Sequence, residues 1–240
     1  MATLKELRDE RLRKLEELKS LGVDAYPSKT NRTHKLSEIT NDFEALQNQT
    51  VGVVGRVVSI RKFGKIAFLV IKDDSGQLQL FVKEGIIEDL HAKTSQLGIK
   101  QLNLLDTGDF VEAKGKVIKT QTDEISVEVT NLRLLAKALR PMPTSYDGFK
   151  NKEERLRRRY IDTNINKDVY ERYIRRSLFW QATREYLLKK GFFEINIPVL
   201  EHTTGGADAR PFTTHMDALD QDFYLRISHE LPLKRLLGGG

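Results

Sequence analysis

The chain of 240 residues contains no cysteine. That excludes disulfides and thiolate metal sites, and it fits a reducing cytoplasm. Long apolar runs are also missing. The longest wholly apolar stretch, Ile66 to Ile71, is far too short for a membrane-spanning helix. The amino terminus is charged by Lys5 and has no signal-peptide apolar region. A soluble cytoplasmic protein with no membrane partner is therefore expected. No Walker loop, dinucleotide fingerprint or zinc-ligand spacing occurs. The five histidines, His34, His91, His202, His215 and His229, are scattered and form no paired-ligand helix. Internal repeats and low-complexity tracts are absent as well.

What is present suits soluble globular structure: 39% hydrophobic residues beside 31% charged ones. A length of 240 allows one large or two ordinary domains. The net charge of +6 is modest, but it is unevenly placed. Between Asn131 and Tyr160 nine Lys and Arg (Arg133, Lys137, Arg140, Lys150, Lys152, Arg155, Arg157, Arg158, Arg159) face three acids (Asp147, Glu153, Glu154), an excess of six. Such a basic stretch is what a polyanion partner would want. A solvated linker is the alternative reading.

Leucines 4, 7, 12, 15 and 18 leave a stripe along Ala2 to Leu21, so that segment is expected to be a helix ending at Gly22. Five β-rich runs follow: Val51–Arg61, Lys65–Lys72, Gln77–Lys83, Phe110–Lys119 and Glu124–Leu135. Turn signals at Phe63-Gly64, Asp73-Asp74-Ser75-Gly76 and Thr122-Asp123 separate several of them. A more helical insert, Ile86 to Leu97, is expected between the third and fourth. This is the chain order of an OB-fold barrel, a fold that often binds single-stranded nucleic acid. Five strands alone leave an SH3-like barrel open.

Pro141-Met142-Pro143 breaks the pattern and the basic stretch follows. Tyr170, Ile174, Leu178, Ala182 and Tyr186 recur every four residues, so Asp168 to Lys190 is expected to be an amphipathic helix ending at Gly191. Phe193, Ile195 and Ile197 alternate with Glu194 and Asn196, which predicts a short strand stopped by Pro198. A double-glycine turn at Gly205-Gly206, a strand and a helix opening on Glu230 complete the chain. The domains are expected at 1–50 (helix and lead-in), 51–140 (barrel), 141–165 (basic linker) and 166–240.

Several of these segments carry a resemblance. Glu154 to Asp162 reads ERLRRRYID, Gly191 to Pro198 reads GFFEINIP, Gly205 to Thr214 reads GGADARPFTT, and Glu230 to Leu236 reads ELPLKRL. In this order, behind a five-strand barrel, they resemble the class II aminoacyl-tRNA synthetases, and most closely the lysine enzymes. The aspartate and asparagine enzymes share the barrel and the first motif but do not usually carry the last two segments. The resemblance covers nearly the whole chain. It implies an α+β fold: an N-terminal helix, a five-stranded OB-fold barrel, and the start of a class II antiparallel-sheet catalytic domain.

For function, the resemblance implies lysine–tRNA ligation, with tRNA-Lys, lysine and ATP as partners and Mg2+ as the metal. By position, Arg61, Phe68, Gln79 and Glu124 match the residues that read the anticodon. An aromatic face stacks an unpaired base, and Arg and Gln hydrogen-bond its edge. Gln79 alternates with Leu78 and Leu80, and Glu124 with Ile125, so both are expected opposite those aliphatics. Phe68 is not placed by pattern, because both faces of Ile66 to Ile71 are apolar; core and base platform stay open. Gly206 matches a position that contacts the lysine substrate, and Glu230 a carboxylate that binds its α-amino group. A carboxylate at a helix start also serves simply to compensate the helix dipole. The Gly191 to Pro198 segment and its preceding helix build a homodimer interface in the family; an ordinary helix–strand unit in a monomer core is the alternative.

The resemblance places no catalytic residue and no metal ligand in this chain. The family's ATP arginines and magnesium carboxylates are expected beyond Gly240, so the 240 residues are expected to lack ligase activity alone. A tRNA-binding module without catalysis, or a truncated synthetase-like protein, is the alternative reading.

Overall fold

The computed structural model describes residues 3–142 and 151–239. They form two compact units, 1–165 and 166–240, of α+β character. The segment 143–150 of the basic stretch, and Ala2 of the expected first helix, lie outside the described residues.

The first unit opens with α1 (Leu4–Ser20), N-capped by the Thr3 side chain in a reciprocal capping box with Glu6. Its leucine stripe is used in part. Leu15 and Leu18 enter the same apolar core as the barrel, whereas Leu4 and Leu7 stay exposed. Burying each such side chain contributes about 1.5–3 kcal/mol. Arg11 is buried beside them and donates to the carbonyl oxygens of Ala138 (2.8 Å) and Thr107 (3.1 Å). Two short helices follow, α2 (Leu36–Asn41) and α3 (Phe43–Leu46).

Five strands, β1 (Thr50–Phe63), β2 (Ile66–Lys72), β3 (Gln77–Lys83), β4 (Phe110–Lys119) and β5 (Ile125–Ala136), close into a barrel of order β1-β2-β3-β5-β4. All neighbours are antiparallel except β3 and β5, which are parallel. This closure is the OB-fold arrangement. Its core is aliphatic: Val51, Val53, Leu69, Ile71, Leu80, Val127, Val129, Leu132 and Leu134 are all buried. Gly115 sits at a register shift in β4, where a Cβ would run into the Glu128 carbonyl oxygen. A side chain there would collide with backbone.

The insert between β3 and β4 is not the expected α-helix. Within 86–97 only Ala92–Thr94 is helical, as a short 3-10 turn, and a second, Ile99–Leu104, follows the expected insert. Left-handed Ser95 ends the first of these turns, and His91 and Gln96 pair with each other across it, which leaves no continuous helix.

The basic stretch is less open than its composition suggests. Asn151 caps α4 (Lys152–Arg157), and α5 (Arg159–Ile165) follows. The side chain of Asp162 is buried and holds both Arg155 (2.9 Å) and Arg159 (3.1 Å). Arg157 pairs with Glu153 and Arg158 with Glu154. Lys137 is buried on Asp109 (2.8 Å) and Asp106. Lys137, Arg155 and Arg159 are thus paired with buried carboxylates, while Arg157 and Arg158 stay exposed.

The second unit contains the long helix α6 (Lys167–Lys189), a three-stranded antiparallel sheet and α7 (Glu230–Leu237). The sheet is formed by β6 (Leu200–Glu201), β7 (Thr213–Met216) and β8 (Gln221–Leu225) in the order β6-β8-β7. The expected strand over 193–197 is absent. Residues 192–198 have no ladder partner among the described residues, and Phe193 is 89% exposed. Alternation alone does not make a strand without a neighbour to bond. The apolar positions of α6 (Tyr170, Ile174, Leu178 and Tyr186) are likewise exposed. Among the described residues no helix is long and apolar enough to cross a membrane.

Candidate functional site

The outer face of the barrel is built by strand alternation and one defect. In β2, Ala67, Leu69 and Ile71 are buried, so Ile66, Phe68 and Val70 point the other way and stay partly exposed. Phe68 therefore lies on the outer face of the barrel and not in its buried core. In β1, Val51, Val53 and Val57 point inward. Unbroken alternation would turn Arg61 inward as well. A bulge between Val57 and Ser59 adds one residue, and the phase reverses. Arg61 then faces outward, directly opposite Phe68.

Three aromatic rings cross this face. Phe68 lies 5.3 Å from Phe81 between ring centres, tilted by 31°. Phe63 stands edge-on to Phe68 at 6.3 Å. Gln79 is opposite Val70, two pairs along from the Phe68–Phe81 pair and so on the same face. It is only 9% exposed, because its neighbour on β5 covers it: Nε2 donates to Ser126 Oγ at 3.0 Å. Ser126 Oγ in turn donates to the Glu124 carbonyl oxygen at 3.3 Å. Glu124 is exposed at the mouth of β5. Its N–H is held by Thr120 Oγ1 across a turn in which Asp123 is left-handed.

Arg61, Phe68 and Gln79 thus share one face, and Glu124 joins it through Ser126. Sequence reasoning missed Phe63, Phe81 and Ser126. The first two had a signal: Phe81 alternates with buried Leu80 and Val82, and Phe63 precedes a glycine turn. Ser126 had none, since its role comes from a parallel partner 47 residues away. Chemically, the face offers ring surfaces for stacking, a guanidinium donor and an amide with both donor and acceptor.

A second cluster lies in the 166–240 unit. Gly206 adopts φ +84°, and a Cβ there would lie 2.7 Å from Glu230 Cβ and 2.8 Å from Ser228 Oγ. The two residues expected at the lysine site are therefore packed together. Ser228 Oγ accepts from the Glu230 N–H at 3.0 Å. The Glu230 carboxylate is half-exposed at the first residue of α7 and pairs with Lys234 at 2.5 Å. Both carboxylate functions stay open here, dipole partner and ligand for an ammonium. Arg226 has a structural task, donating to the carbonyl oxygens of Ile197 and Pro198 at 2.8 Å each.

Among the described residues no group of three or more His, Asp or Glu is placed to hold a metal ion. Mg2+ is assigned to none of them.

Comparison with known proteins gives two family matches. Residues 51–135 match the OB-fold nucleic acid binding domain, and residues 151–240 match the class II tRNA synthetases (D, K and N). Single relatives align along almost the whole chain. A lysine–tRNA ligase of Fervidobacterium nodosum is 41% identical over 99% of this chain and 46% of its own length. One from Carboxydothermus hydrogenoformans is 43% identical over 99% of this chain and 47% of its own. One from Clostridium tetani is 42% identical over 98% and 46%. The chain spans about half the length of the relatives it matches.

Proposed function

We propose that this chain is part of a class II lysine–tRNA ligase, similar to those that it matches, and carries the RNA-reading barrel and leading catalytic segments of an enzyme that joins lysine to tRNA-Lys. In that reaction lysine and ATP give lysyl-adenylate and pyrophosphate, and the lysyl group then passes to the 3′ end of the tRNA. Residues 51–140 are the anticodon-binding domain. Phe68 stacks a splayed anticodon base, while Arg61, Gln79 and Glu124 hydrogen-bond base edges. The observation that carries this reading is the pairing of Arg61 with Phe68 on the outer face, with the Gln79 amide fixed beside them.

Gly206 and Glu230 form the lysine end. Glycine lets the substrate backbone approach closely. The Glu230 carboxylate receives the α-amino group, a role that Lys234 holds in the present structure. The exposed apolar face of α6 is the homodimer interface of the intact enzyme. The protein works in the cytoplasm. For the 240 residues alone we propose tRNA binding without ligation, because catalysis in this class depends on positioned charge at the phosphates of ATP.

The test is equilibrium binding of the chain to tRNA-Lys and to the same tRNA with its central anticodon uridine replaced, at two salt concentrations. Affinity lost on the base change supports an anticodon reader. Equal affinity for both, disappearing in salt, would reduce the barrel to a phosphate contact.

A further inference from the structure

The tip of the β1–β2 hairpin carries groups that the anticodon contacts above leave unused. Phe63 ends β1, pairs with Ile66 across the Gly64 turn and is 63% exposed. A lone exposed aromatic needs no explanation. This one continues a row, since Phe81, Phe68 and Phe63 step outward across β3, β2 and β1. Its ring is the last and most open of the three.

The same tip lines a cavity of about 250 Å³, whose walls include Lys62, Lys65, Lys100, Glu84 and Asn103. Three ammonium groups meet one carboxylate there, and Glu84 is taken by Lys65 at 3.0 Å. Lys62 donates to the Leu102 carbonyl oxygen (2.7 Å) and to Asn103 Oδ1 (2.6 Å), both neutral acceptors. Burial lowers the pKa of Lys62, and the nearby charge of Lys14 lowers it further. An anion in the cavity would offset these effects by stabilising the ammonium form. Lys62 lies opposite buried Ala67 and so on the other face of the hairpin from Phe63; the stacking surface and the positive pocket are the two sides of one turn, which a strand rounding the tip would engage together.

We propose that this hairpin tip is a further nucleotide subsite for single-stranded RNA, in which Phe63 stacks the base next to the one on Phe68, and Lys62, Lys65 and Lys100 receive a phosphate of the same strand. The inference rests on the barrel being an RNA reader. It predicts that the barrel contacts one nucleotide more than the residues matched to the family's anticodon readers provide.

The experiment titrates the 240-residue chain into labelled oligouridylates of three and of five nucleotides and reads fluorescence anisotropy. Phe63→Ala is expected to weaken the five-nucleotide strand by about 5- to 150-fold, the value of one stacked base. It should leave the three-nucleotide strand within about twofold, and Phe63→Trp should restore the longer strand. Lys100→Gln should reduce the salt slope for the longer strand by about 0.7, one phosphate contact. If Phe68→Ala weakens both strands while Phe63→Ala changes neither, or changes both alike, the subsite is overturned and the barrel reading stands. If Phe68→Ala has no effect, the barrel reading falls and takes the subsite with it.

Discussion

Arg61 and Phe68 face each other across two barrel strands only because β1 carries one extra residue between Val57 and Ser59. From buried Val57, four residues of regular strand would return Arg61 to the inside. The bulge reverses that phase and puts a guanidinium beside a ring on the solvent face.

The neighbours Phe68 and Leu69 should separate function from stability. Phe68→Ala should weaken tRNA-Lys binding by about 1–3 kcal/mol and leave the thermal midpoint nearly unchanged, since its ring is already partly exposed. Leu69→Ala removes a fully buried side chain and should cost about 2–5 kcal/mol of stability. Denaturant titration and tRNA binding on both variants check this. A large stability loss in Phe68→Ala would count against the outer-face role.

Ser126 is expected to act through Gln79. Ser126→Ala removes the acceptor that fixes the Gln79 amide, and leaves a nearly buried donor unpaired. Discrimination between a uridine and a cytidine at the anticodon should fall by about 2- to 10-fold, the worth of one ordinary hydrogen bond. Salt dependence of binding should not change. Ser126→Thr keeps the hydroxyl and should retain most of the discrimination.

The clamp between α1 and the barrel should weaken in acid. Asp106 holds both Lys14 (2.7 Å) and Lys137. Burial alone would raise its pKa, but the hydrogen bonds from Lys137 and Lys14 outweigh it and hold the carboxyl below its ordinary value. The unfolded chain therefore binds the proton more tightly than the folded one. The contribution of Asp106 is complete above the unfolded carboxylate value of about 3.9, and is lost as pH falls through the lower folded value. Asp106→Asn should flatten this part of the stability–pH curve, measured by urea unfolding between pH 6 and pH 2. An unchanged slope would show that the clamp does not titrate.

Gly206→Ala tests the second cluster. The residue needs left-handed backbone, and a methyl group would press on Glu230 and Ser228. The strain is about 1–3 kcal/mol. Hydrogen exchange at 228–231 should quicken by about 5- to 150-fold, while exchange in the barrel strands stays as it was. Faster exchange throughout the chain would mean a global rather than a local effect.

Much of this protein is fixed by sequence alone. The two-residue period of the β runs, their turn residues, the Leu15 and Leu18 stripe and the four-residue period of Tyr170 to Tyr186 set the elements and their order. Local backbone preference and apolar period are properties of a short window, and a short window is what a sequence shows directly. What a window cannot hold was decided by tertiary structure. Phe68 lay between two apolar faces until its partners Arg61 and Phe81 placed it. The bulge in β1 became visible only against the register of β2. Ser126 reaches Gln79 through a parallel pairing of distant strands, and Gly206 reaches Glu230 across a turn, a sheet and a loop. Three expectations gave way. The 193–197 strand found no ladder, the 86–97 insert formed one 3-10 turn ended by left-handed Ser95, and the basic stretch spent Lys137, Arg155 and Arg159 on buried carboxylates. The missing ladder and the burial of Lys137 on Asp106 and Asp109 depended on what a distant part of the chain supplied, whereas Asp162 takes Arg155 and Arg159 from its own neighbourhood through side-chain geometry that no period reports.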